Sequence, residues 1–195
     1  RIMQKAGMHQ EGILKRSGIK NPGIRDEVCY AILRKEYEAG KTEPVCEILK
    51  TRLTPEVLEA LIRLSGDFES ENCCQGYHAN RSSDLEGKTI FVAKNADEIV
   101  AFLFGHFAQA ERTTSVMTVG TPVFEGEEIY VRPEYRWHGI GRRHFEHMQR
   151  AVAPRAESLL MSTAARDWRK MFHFSLDDLG MAYWHARLYK KLSED

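Results

Sequence analysis

The stretch "EEIYVRPEYRWHGIGRRHFEHM", residues 127–148, constrains the fold of this chain more than any other. An apolar run stops at Pro133, glycines follow at 139 and 141, and then Phe145, Met148 and Val152 recur at i, i+3 and i+7 until Pro154. That is the pattern of a strand, a tight turn and an amphipathic helix that the proline ends. A second apolar run, "ESLLMSTA", follows and reads as a buried strand. Residues 127–164 therefore form a β-α-β unit, and such a unit requires a sheet with helices on its faces.

The remaining segments fit the same class. "QEGILKRSG" at 10–18 and "EVCYAILRKE" at 27–36 read as a hairpin across the turn signal Asn21-Pro22-Gly23. A polar stretch with Gly40 and Pro44 follows, and "CEILKTRL" is a strand candidate. Thr54-Pro55-Glu56 supplies an N-cap, a first-turn proline and an acidic residue for a helix over Val57–Leu64. Residues 66–88 are polar and give no readable pattern. "TIFVAK" and "EIVAFLFGHFA" read as strands about a turn at Asn95–Asp97, 111–122 as a loop, and "GEEIYVRP" as the next strand. Trp168–Leu179 reads as a helix and "MAYWHARLYKKL" as a last strand. The fold expected is α/β (α+β), a central mixed and mostly antiparallel sheet flanked by helices.

At the strand-to-helix junction the first helical N–H groups lack intrahelical partners and the helix dipole leaves that end partly positive. Glycines at 139 and 141 let backbone approach a phosphate, and Arg136 and Arg142 could add charge-assisted contacts. The spacing fits neither a dinucleotide fingerprint nor a P-loop. Two readings stay open on spacing alone: a phosphate cradle, or a turn whose glycines serve geometry only.

The same residues carry a family resemblance. Arg136-Trp137-His138-Gly139-Ile140-Gly141, preceded by Val131-Arg132-Pro133-Glu134-Tyr135, resembles the acetyl-CoA-binding segment of the GCN5-related N-acetyltransferases. The element order from about 46 to 192 is similar to that family's acyl-CoA N-acyltransferase fold. The resemblance implies acetyl-CoA as cosubstrate, with its pyrophosphate held by the loop Arg136–Arg142 and its pantetheine arm along Ile129, Tyr130 and Val131. It implies N-acetyltransfer to a primary amine of a small molecule or protein. The alternative is a non-catalytic or vestigial acyl-CoA-binding module.

Attack on a thioester needs a neutral amine, so a group must accept the ammonium proton. Glu125, Glu127 and Glu128 lie on or beside the strand before the loop. Alternation places Glu125 and Glu127 on one face with Ile129 and Val131, and Glu128 on the other. By resemblance to polyamine-type members, Glu127 is the first choice for the base and Glu128 the second; solvated or salt-bridged glutamates are the plainer reading. The oxyanion would meet backbone N–H groups of the same strand. The family's helix tyrosine, four or five residues before a Gly-Phe pair, is replaced here by Leu176 or Ser175 before Gly180-Met181, with Tyr183 just beyond. Asp167 stands where the family often carries asparagine.

Residues 1–39 resemble the last helix and two closing strands of a ribosomal-protein-type N-acetyltransferase. The expected organisation is a remnant hairpin of a preceding domain at 1–39, a linker at 40–45 and a complete domain at 46–195. The hairpin could also add to a sheet of its own chain or of a second copy, making a homodimer possible.

Composition narrows the class further. Lys+Arg 28 against Asp+Glu 28, with the basic residues scattered, argues against a nucleic-acid binder. No apolar run reaches the roughly 20 residues of a membrane span and no signal-peptide layout is seen, so a cytoplasmic protein is expected. Cys29, Cys46, Cys73 and Cys74 show no C-x-x-C spacing and read as reduced thiols. No metal site is expected: His144 and His147 share a helix, lack further ligands and read as surface histidines. Phe102, Phe104 and Phe107 read as core or cleft wall, and Tyr183, Trp184 and His185 as packing or acceptor-pocket residues.

Overall fold

The computed structural model describes residues 3, 8–19, 24–32 and 44–185. The chain divides into two compact units, Arg1–Pro44 and Val45–Asp195. In the first, β1 (His9–Ile19) pairs antiparallel with β2 (Ile24–Ala31), with Ile13 opposite Val28. The register slips between Leu14 and Gly18, where Arg16 takes φ 56° and donates its backbone N–H to Asp26 Oδ1 at 2.8 Å. The expected turn Asn21-Pro22-Gly23 lies outside the described residues.

The second unit is built on a five-stranded sheet of order β3-β4-β5-β6-β7. Its strands are β3 (Cys46–Thr51), β4 (Thr89–Asn95), β5 (Glu98–Gln109), β6 (Pro122–Val131) and β7 (Ser158–Met161). The first four pair antiparallel and β7 pairs parallel to β6. The mixed, mostly antiparallel sheet flanked by helices agrees with the class read from the sequence.

Helix α1 (Pro55–Ser70) starts where the sequence signals it: Thr54 Oγ1 accepts from the Val57 N–H at 3.4 Å, and Pro55 occupies the first turn. It runs past the expected end at Leu64, through Gly66, because Phe68 continues its apolar stripe against the core. A single turn, α2 (Ser82–Leu85), lies in the stretch the sequence left unread. Helix α3 (Ile140–Val152) crosses from β6 to β7. Helix α4 (Trp168–Phe172) is capped by the Asp167 carboxylate, which accepts from Lys170 N–H, and it continues as a wide π turn over His173–Asp178. Residues 181–185 are not strand, and the remainder of the expected last strand lies outside the described residues.

Both faces of the sheet are covered, which is why its central strands are nearly continuous apolar runs. On one face Ile90, Val92, Phe102, Phe104 and Tyr130 pack with Val57, Leu61 and Leu64 of α1 and Leu85 of α2. On the other, Phe91, Leu103 and Phe124 pack with Phe145, Met148 and Val152 of α3. The alternation of these residues along β4 and β5 is the period-two signature of pleated strands. His144 departs from the sequence reading. It is not a surface residue but fully buried in α3, and neither ring nitrogen has a hydrogen-bond partner among the described residues.

Candidate functional site

Strands β6 and β7 remain paired only from Val123–Ser158 to Gly126–Met161. Beyond that point β6 runs on through Glu127–Val131 with no strand partner on its β7 side among the described residues. The side chains here point away from that edge: Ile129 joins the α3-face cluster, Tyr130 is buried on the α1 face, and Val131 packs near Ile140. What this side of β6 offers is therefore backbone groups of Ile129 and Val131, the Val131 carbonyl being already bonded by the Arg136 side chain.

At the end of β6, a single 3-10 turn (Pro133–Tyr135) leads into α3. Trp137 and Gly139 both adopt left-handed conformations, φ 70° and 69°. No backbone N–H from Trp137 through Arg142 donates a hydrogen bond within the described residues, and Gly139 at the N-cap has no side chain to satisfy them. Alternating backbone hands turn successive N–H groups toward one side, a concavity suited to an anion. A Cβ at Gly141 would stand 3.3 Å from the Phe174 ring, so the start of α3 sits close against the π turn. Gly139 has open space around it and needs glycine for its backbone hand. Trp137 is 90% exposed beside this cradle, and His138 is half-buried.

The two arginines are placed differently from the expectation. The Arg136 guanidinium turns into the protein, donating to the Val131 carbonyl at 2.7 Å and to both carboxylate oxygens of Glu71 at 2.8 and 2.7 Å. It is committed to holding the loop, and an anion would meet the loop's backbone. Arg142 is exposed and pairs along the helix with Glu146 at 3.0 Å. Burial pulls the Glu71 carboxyl upward, but the hydrogen bonds from Arg136 and Tyr130 outweigh it and hold the group below the usual carboxylate range.

The carboxylates also differ from the alternation rule. Phe104 pairs with Glu128 and Gly105 with Gly126, so Glu127 is an extra residue in a β-bulge. The bulge resets the alternation: Phe124 and Ile129, which strict period two would put on opposite faces, share the α3 face. Glu127 and Glu128 thus both reach the α1 side instead of opposite sides. Glycine is required opposite the bulge, because a Cβ at Gly105 would lie 2.1 Å from the Glu125 carbonyl oxygen.

Glu127 is engaged by Lys88 Nζ and His106 Nδ1. Glu128 is half-buried and accepts from Tyr77 Oη at 2.6 Å and Asn80 Nδ2 at 2.9 Å. Burial pushes its pKa above the ordinary value, the two hydrogen bonds oppose that, and the charge on Glu127 adds to the rise. Cys74, near the same carboxylate, is pushed up to about 11 by burial, by Cys73 and by Glu128. No cluster of three or more metal-ligating side chains occurs among the described residues.

Sequence reasoning missed Glu71, Tyr77, Asn80, Lys88 and His106. None lies in a motif, and each reaches the site from a distant segment, such as Tyr77 across 51 positions to Glu128. Tyr183, considered as a replacement acid, is exposed and packs edge-on against Phe172.

A five-stranded sheet that opens between two parallel strands, beside an N–H-lined turn into a crossover helix, is the architecture of the acyl-CoA N-acyltransferase class. A family model described as "Acetyltransferase (GNAT) domain" matches residues 86–192, and the chain belongs to that family.

Solved structures agree at the level of fold. An aminoglycoside acetyltransferase, meta-AAC0020, from an uncultured soil metagenomic sample is similar at TM-score 0.55 and 15% identity, covering 76% of this chain and 97% of that one. A tetramutant of BH1408 protein from Bacillus halodurans is similar at TM-score 0.59 and 17% identity, with 75% and 99% covered. A ribosomal-protein-alanine N-acetyltransferase from Brucella melitensis is similar at TM-score 0.51 and 17% identity, also with 75% and 99% covered. No curated protein matches the sequence. No helix among the described residues is long and apolar enough to cross a membrane.

Proposed function

We propose that the protein is an N-acetyltransferase that uses acetyl-CoA and a primary amine of a small molecule or protein. The observation that carries this reading is the run of N–H groups from Trp137 to Arg142 that have no partner among the described residues, placed where β6 ends. The residues fit the cosubstrate: backbone donors for a pyrophosphate, and a strand edge with no strand partner among the described residues for the amides of a pantetheine arm. Bound there, acetyl-CoA supplies an activated acetyl group as its thioester.

The chain's own part is to hold that group and to take a proton. Ile129 and Val131 present backbone on the side of β6 away from β5, and Arg136 braces the cradle through Glu71 and the Val131 carbonyl. Glu128 is the better base, a reversal of the order given by the resemblance. Its raised pKa brings it toward neutral pH, where a general base is most effective, whereas Glu127 is held in an ion pair. Glu127 supports that role, since its negative charge raises the basicity of Glu128. The Cys74 thiol stays protonated at neutral pH, which favours direct transfer over an acyl-cysteine route.

The test is release of free coenzyme A thiol from acetyl-CoA with a panel of amines: a polyamine, an aminoglycoside and a peptide starting with alanine. Thiol release above the hydrolysis background with an amine supports transfer. Binding of acetyl-CoA with no release from any amine would point to the non-catalytic module.

A further inference from the structure

The segment between α1 and α2 was unreadable in the sequence, yet it makes the most specific contacts of the site. Tyr77 Oη donates to one oxygen of Glu128 at 2.6 Å and Asn80 Nδ2 to the other at 2.9 Å, while Asn80 Nδ2 also lies 3.4 Å from Tyr77 Oη. Both donors are themselves anchored. The Tyr77 ring packs on Phe68 of α1 with centroids 4.4 Å apart. The Asn80 backbone N–H donates to Ser65 Oγ at 3.0 Å, and that hydroxyl, fully buried in α1, donates to the Ile62 carbonyl.

Resting on the transferase reading above, we infer that Tyr77 and Asn80 are positioning residues that clamp the Glu128 carboxylate from both oxygens and fix it as the proton acceptor for the incoming amine. Partly buried polar side chains that satisfy both oxygens of one carboxylate favour one rotamer and its ionised form. The donors take no proton from the amine; they determine where the base stands and at what pH it is ionised. Other groups facing Glu128 are Cys74 on the same segment and Glu127 on its own strand, the latter in contact with Lys88 and His106.

Tyr77→Phe keeps the ring against Phe68 and removes only the hydroxyl, so it leaves the fold in place. Two readouts are needed. The first is the titration of the Glu128 carboxyl by carbon NMR in protein without ligand, assigned by its loss in Glu128→Gln. The second is the acid limb of kcat/KM for the panel amine that releases thiol fastest. Tyr77→Phe and Asn80→Ala are expected to move both to higher pH, because each removes a donor to the ionised form. Near the foot of that limb, kcat/KM falls about tenfold, mostly in kcat, with the acetyl-CoA KM little changed. In the Glu128→Gln background Tyr77→Phe has no further effect.

A Glu128 titration left in place by Tyr77→Phe overturns the proposal even if thiol release is intact. Losses that multiply in the double variant overturn it as well. Absence of thiol release with every amine overturns the transferase reading instead, while a displaced titration still upholds the clamp.

Discussion

Arg136 and Glu71 meet through two hydrogen bonds, Nη1 to Oε2 at 2.8 Å and Nη2 to Oε1 at 2.7 Å, tying the turn before α3 to the end of α1. Glu71 is the C-cap of a helix whose last turn has no basic residue, where an acid opposes the dipole. Arg136 supplies the missing positive charge from outside the helix, and Tyr130 Oη adds a third hydrogen bond at 2.8 Å.

Cutting this pair should loosen the cradle without touching the base. Glu71→Ala leaves a partly buried guanidinium unpaired and is expected to cost about 1–3 kcal/mol of stability. It should also weaken acetyl-CoA binding several-fold. Arg136→Lys is expected to behave similarly, because an ammonium cannot reproduce the two-point geometry. Urea unfolding and a binding titration on the same variants check both effects.

Gly105 tests the bulge. A Cβ there collides with the Glu125 carbonyl and stands 2.9 Å from the Phe124 ring, both fixed parts of β6. Gly105→Ala is expected to destabilise the fold by about 3 kcal/mol or more, since backbone must shift to admit the methyl. Activity at permissive temperature should fall too, because the bulge aims Glu127 and Glu128. A Tm unchanged from wild type would show that β5 and β6 are not joined in this register.

Acid stability should depend on His144. Burial drives its pKa down to about 4 from an ordinary 6.5; the Phe91 backbone works against this and His147 with it. The unfolded chain therefore binds a proton between these values that the folded chain refuses, so stability falls as pH drops from about 6.5 toward 4. The effect on its own is on the order of 3 kcal/mol. Replacement by leucine should flatten this part of the pH dependence. Comparing unfolding free energies at neutral pH and near pH 4.5 for both proteins checks it; equal slopes would contradict it.

Much of this was legible in the sequence, for a reason visible in particular residues. The crossover from Ile129 to Met161 was readable because Pro133, the glycines and Pro154 punctuate it, and because Phe145, Met148 and Val152 have a helix period. Strand alternation misplaced Glu127 relative to Glu128 because a bulge carries no local signal; its cause lies 20 positions away or more, at Gly105 and its close approach to Glu125. Arg136 was assigned to phosphate because its partner, Glu71, is 65 positions distant. His144 was placed on the surface because its helix was read for the stripe Phe145, Met148 and Val152, while the buried face is wide enough to take in its neighbour. The site's second half, at 71–80, depends wholly on tertiary contacts with Glu128, Arg136 and Ser65.

The most direct test of the account is a calorimetric titration of acetyl-CoA into the wild type and into the Gly139→Glu, Gly141→Glu double variant. The variant places carboxylates at the cradle, forces an unfavourable backbone hand at 139 and crowds Phe174 at 141. Circular dichroism and Tm of the variant establish that it is folded before it is compared. Saturable binding by the wild type that falls at least a hundredfold in the folded variant is the result expected. Equal affinity in the two proteins, or no binding by the wild type, would contradict the claim that residues 137–142 are an anion cradle for coenzyme A.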